Sequence, residues 1–87
     1  MTDKEQIRDL IASGKLAEAT AMLSAMPDDD AWTAYMLGRI AWKNGRKGDA
    51  ITLYERAKSL DPASEAVIAL EQAREIMNFY NTDLYNP

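Results

Sequence analysis

Ala34, Leu37, Gly38 and Ala41 fall at i, i+3, i+4 and i+7, which puts small side chains along one face of a helix. Gly45 supplies a turn, and Ala50, Tyr54 and Ala57 then mark the inner face of a second helix that Asp61-Pro62 stops. Two antiparallel helices with facing stripes this small approach closely, and Tyr54 and Leu37 fill the gap that remains. This spacing constrains the chain more than any other feature, because it fixes two helices, the turn between them and the faces they share.

The arrangement resembles the tetratricopeptide repeat (TPR), a helix–turn–helix unit of about 34 residues whose signature ends in an Ala…aromatic…Pro run. One near-complete repeat spans residues 31–64. Gly38, Gly45, Ala50, Tyr54, Ala57 and Pro62 stand at the family's usual places. Ala34 and Ala41 depart from it, sitting where the family often has Trp and Tyr, while Trp32 and Trp42 point elsewhere around the helix. The resemblance implies an all-α fold, an α-solenoid stacked with a right-handed sense, and a function in binding other proteins.

The rest of the chain extends the pattern to five helices in one domain covering residues 1–87. Thr2-x-x-Glu5 ahead of Ile7, Leu10 and Ile11 is a capping-box start for a first helix reaching about Ser13. Gly14 turns the chain into a second helix from Lys15 to Met26, with Leu16, Ala19, Met22, Leu23 and Met26 inward and Pro27 cutting it short. Gly14, Ala19 and Leu23 repeat the spacing of Gly45, Ala50 and Tyr54, so residues 1–30 read as a degenerate copy of the repeat. Asp28, Asp29 and Asp30 lack the spaced oxygens and glycine turn of a calcium loop. Asp29 or Asp30 instead reads as the N-cap of the third helix.

The third helix is expected over residues 31–43 and the fourth over 47–60. A fifth, over about 64–80, carries Ala66, Leu70, Ala73, Met77 and Tyr80 at amphipathic spacing. Lacking the Leu-Gly pair, it reads as a terminal capping helix. Glu71 and Glu75 are expected to partner Arg74. Residues 81–87 form an aromatic tail, and Phe79, Tyr80, Leu84 and Tyr85 together predict docking, first of all along the last helices.

Composition closes off several classes of function. With 47% apolar residues the body of the chain is not intrinsically disordered. It has no cysteine and no histidine, so thiolate nucleophiles, imidazole bases and Cys/His metal sites are excluded. No glycine-rich phosphate loop or nucleophile signature occurs, the carboxylates read as caps and surface partners, and neither an enzyme nor a cofactor is expected. No apolar run reaches the roughly 18 residues of a membrane span, and the charged start MTDKEQIRDLIASGK does not resemble a secretory signal. A cytoplasmic protein without membrane contact is the expectation. The net charge of −4 argues against nucleic acid as a partner. The charge is uneven, however. Residues 39–58 hold six basic and two acidic side chains, against three and seven in 1–38 and one and five in 59–87.

By the resemblance, the first helix of each repeat lines the concave face of the solenoid and touches ligands. On the third helix that position belongs to Trp32, Tyr35, Arg39 and Trp42, at i, i+3, i+7 and i+10, with Lys43 alongside. Lys4, Arg8 and Ile11 of the first helix and Ala66, Ala69, Ala73 and Ile76 of the fifth occupy similar places. The expected groove has a basic flank, an aromatic centre and an apolar far wall, and receives a peptide or helix of a partner protein. One family subtype clamps the C-terminal carboxylate of chaperone partners with lysines and asparagines. Met36 and Leu70 stand where that set needs Asn and a basic residue, so this form of recognition is not expected. The alternative is a self-associating accessory subunit, a homodimer formed through the apolar fifth helix and the tail.

Overall fold

A computed structural model describes residues 2–27 and 29–81, the last three by their backbone alone. Five helices follow one another: α1 (Asp3–Ala12), α2 (Leu16–Leu23), α3 (Ala31–Lys43), α4 (Lys47–Leu60) and α5 (Ala66–Asn81). There is no strand among the described residues. Each helix packs mainly on its neighbours in sequence, the most extensive pairing being α3 on α4.

Local chemistry sets the boundaries. The Thr2 hydroxyl accepts from the Glu5 amide at 3.2 Å and starts α1. Asp30 caps α3, accepting from the Trp32 amide and from the hydroxyl of buried Thr33, both at 3.3 Å. Pro62 and Ala63 stay outside any helix. Ser64 then accepts from the Ala66 amide at 3.1 Å, so α5 begins two residues later than its apolar spacing suggests. The second helix is shorter than expected, closing at Leu23. There the Ser24 hydroxyl donates to the Ala21 carbonyl and competes with the next helical turn.

The two hairpin turns are built alike. Gly14 and Gly45 lie at φ 81° and 80°, the left-handed region that glycine enters at little cost. The following residue closes each turn with a backbone bond five residues back, Lys15 N–H to Leu10 at 2.8 Å and Arg46 N–H to Ala41 at 2.9 Å.

The core has two parts. One collects Ala34, Ala41, Ala50, Tyr54 and Ala57 from the α3–α4 hairpin with Ala66, Leu70 and Ala73 of α5. The other joins Ile7 and Ile11 of α1 with Ala19 and Leu23 of α2 and with Met36 and Ile40 of α3. Gly38 sets the hairpin spacing of α3–α4, since a Cβ built there would lie 2.5 Å from the Tyr54 ring. In the first hairpin Ile7 and Leu23 hold the places that Gly38 and Tyr54 hold in the second, a redistribution of bulk across the same interface. The result is elongated, 51 × 27 × 17 Å, with a radius of gyration of 13.9 Å. A compact chain of this length would have about 12 Å.

Two inward residues were expected to line the groove. Ile11 of α1 is fully buried against α2 and α3, and Ala66 of α5 is fully buried against the α3–α4 hairpin, so neither reaches a partner. The reason is register: both fall on the stripe that seats their own helix. Arg74 ignores Glu71 and Glu75 and pairs with Glu55 of α4 at 2.9 Å, tying α5 to the preceding helix. The expected role of residues 82–87, with the side chains of Phe79 and Tyr80, lies outside the described residues.

Candidate functional site

The four sides of α3 do different things, because about 100° separates successive residues around a helix. Ala34, Gly38 and Ala41 face α4, whereas Met36 and Ile40 face the α1–α2 pair. Trp32, Tyr35, Arg39 and Trp42 lie between these two packed faces, all half-buried. Neither tryptophan is entombed. Trp32 leans on the cluster of α1, α2 and α3, Trp42 on the cluster beneath α5, and Tyr35 on both.

Across from this stripe stands α5. Tyr35, Arg39 and Trp42 join Tyr54 of α4 and Ala69, Gln72, Ala73 and Ile76 of α5 around a hollow of about 220 Å³. Ala73 forms its floor, being 3% exposed, and Ile76 its rim at 39%. Tyr54 was expected only as core filling. Its ring does fill the space beside Gly38 and sits 6.0 Å from the Tyr35 ring, but it is also part of the hollow. The signal that would have placed it there is its helical register with Ala50 and Ala57 combined with the length of a phenol, which carries the hydroxyl past the interface its ring occupies.

A second hollow of about 370 Å³ adjoins through Tyr35 and is bordered by Lys4, Trp32 and Glu65 among others. Here the ammonium of Lys4 sits 5.0 Å from the Trp32 ring centre, within cation–π range. Arg8 pairs with Glu65 at 3.7 Å, an exposed ion pair that bridges α1 to the segment that opens α5. Lys43 is exposed and borders neither hollow. The Lys47 ammonium covers the Trp42 ring at 5.3 Å.

The electrostatics are simple. Burial pushes the Tyr54 phenol above its ordinary value, and the nearby Tyr35 adds to this while the Arg39 guanidinium opposes it. Tyr54 therefore remains a neutral hydroxyl at physiological pH. Arg39 has no ion pair with a described carboxylate. Among the described residues no group of three His, Cys, Asp or Glu side chains could hold a metal, and no helix is long and apolar enough to cross a membrane.

A larger hollow, about 490 Å³, lies on the opposite side of α3, between Thr20 of α2 and Asp49, Thr52 and Leu53 of α4. It arises because the short α2 offers only small side chains there and does not close on α4. It lacks the aromatic rings that make rigid anchors, so size does not make it the better candidate.

Neither a curated relative nor a solved structure matches the chain. The family model of the tetratricopeptide repeat matches residues 31–64, the α3–α4 hairpin with its closing Asp61-Pro62 turn and Ser64. Such repeats generally mediate protein–protein interaction and are typically non-enzymatic. The glycine-spaced hairpin and the five-helix stack agree with this match, which shows an all-α helical-repeat fold carrying a tetratricopeptide repeat at residues 31–64.

Proposed function

We propose that the protein is an interaction module whose trough between α3 and α5, continued toward α1, receives a peptide or helix of a partner protein. The reading rests on one observation: Tyr35, Arg39 and Trp42 of α3 meet Ala69, Ala73 and Ile76 of α5 around a common hollow. At about 220 Å³ that hollow is smaller than the roughly 300–1,000 Å³ that accommodates drug-sized ligands. It suits one anchoring side chain of a longer segment. Aromatic and arginine side chains in such pockets are the residue types on which binding energy concentrates. Trp32 and Lys4 would extend the contact along the chain of the ligand, and Lys43 would act from the rim by attracting an acidic segment.

Within this reading the module is one domain. Residues 1–30 form a degenerate repeat, 31–64 the near-complete one, 65–80 the cap and 81–87 the tail. The test is affinity capture from the native cell followed by calorimetry with the partner so identified. Trp42→Ala is expected to weaken binding by about 2 kcal/mol. An unchanged affinity removes the trough as the binding face.

A second reading, self-association through α5, is favoured by Ile68, which is 62% exposed on the side of α5 away from the core. Sedimentation at low micromolar concentration decides it, because a strict monomer eliminates the homodimer.

A further inference from the structure

The hollow between α3 and α5 is lined by two donors, Tyr54 and Arg39, that no described carboxylate engages. Tyr54 is 5% exposed, yet its hydroxyl makes no hydrogen bond with a described residue. Tyr54 lines the hollow, which is the space a ligand would share with its hydroxyl. Arg39 lines the same hollow, half-buried, and no described carboxylate pairs with it. Lys47 lies over Trp42 on the neighbouring ring, adding positive charge along this edge.

From this geometry we infer that the hollow is a receptor for an aspartate or glutamate side chain of a partner protein, held by the Arg39 guanidinium and the Tyr54 hydroxyl. The inference rests on the trough being the binding face. A carboxylate is acceptor-only, carries charge opposite to the guanidinium and takes several donors at once, so it satisfies both groups; a neutral amide oxygen accepts without that charge, and an ammonium cannot accept at all. Charge-assisted hydrogen bonds of this kind are among the stronger ones. The raised Tyr54 titration keeps the hydroxyl a donor at neutral pH. The carboxylate comes from a side chain because Tyr54, 5% exposed, lines a hollow of only about 220 Å³. A methylene stem enters such a space and a peptide backbone does not. Trp42, Ala69, Ala73 and Ile76 beside the donors form an apolar wall, so the residue flanking the acid in the partner is a large aliphatic one.

Random linear peptides displayed on phage and selected on the intact protein provide the test, with synthetic versions acetylated at the N-terminus and amidated at the C-terminus for fluorescence anisotropy. Selected sequences are expected to share an acidic residue next to an aliphatic one. Replacing that acid by its amide in the peptide should weaken binding about tenfold. Arg39→Gln and Tyr54→Phe should each weaken the acidic peptide more than the amide version. Arg39→Lys should restore part of the loss. Equal affinity for acid and amide peptides overturns the inference, as does a requirement for a free C-terminal carboxylate. If Trp42→Ala abolishes binding of a peptide that shows no acid dependence, the trough survives and the carboxylate receptor does not. If no selected peptide responds to Trp42→Ala, both fall.

Discussion

Gly38 and Tyr54 are the closest dependence between two residues in the molecule. Tyr54 is wedged in the core, so a methyl group on Gly38, 2.5 Å from the ring, cannot be absorbed by a swing of the side chain. Alanine would gain up to about 1 kcal/mol of helix propensity, but overpacking costs about 1–3 kcal/mol. Gly38→Ala is therefore expected to destabilise by roughly 1 kcal/mol, read from the urea midpoint at constant slope. A gain in stability would mean that the helices do not meet as closely as described. The Tyr54 phenol gives a second expectation at this scale. Its ordinary value is 10.0, and folding raises it. Below pH 10 the phenol is protonated in both states. Above it, the unfolded chain loses its proton first, so the folded state binds more protons and stability falls as pH rises. Tyr54→Phe should make the alkaline limb of the stability curve shallower, and an unaltered limb would show that Tyr54 does not contribute to it.

Between elements, two kinds of contact hold α5 in place and their magnitudes differ. The Arg74–Glu55 pair is short, but both side chains are about half exposed, at 53% and 50%. Such a surface pair is worth at most about 1 kcal/mol and is screened by salt. Leu70 is 2% exposed in the cluster beneath α5. Removing its isobutyl group costs about 2–5 kcal/mol. Leu70→Ala is thus expected to lower stability several times more than Arg74→Ala, and only the arginine effect should vanish in 1 M NaCl. Thermal or urea unfolding of both variants at two salt concentrations checks this, and a dominant Arg74 effect would show that α5 is held by charge.

At the scale of the whole molecule, the stack is weakest at its α2 edge. That helix has eight residues, no side-chain cap at its start, and an open hollow between it and α4. The α3–α4 hairpin is flanked by α5 on one side and by the α1–α2 pair on the other. In a repeat stack, stability comes from such nearest-neighbour interfaces. Amide exchange is expected to be fastest over Leu16–Leu23 and slowest over α3 and α4. Uniform protection across the five helices would instead mean that the stack opens as one unit.

Periodicity and turn chemistry by themselves determined the five helices, their order, both glycine turns and a cap at Asp29 or Asp30, because each depends on neighbours within a few positions; the structure chose Asp30. The same spacing identified the repeat at residues 31–64 and the stripe Trp32, Tyr35, Arg39, Trp42, since side-chain direction on a helix follows from register alone. Tertiary structure decided what that stripe meets. The fate of Ile11 and Ala66, the pairing of Arg8 with Glu65 and of Arg74 with Glu55, and the union of Tyr54 with Arg39 in one hollow depend on how far apart the helices pack and at what offset. Those quantities are set by bulk at interfaces such as Gly38 against Tyr54, where side chains distant in sequence compete for one volume.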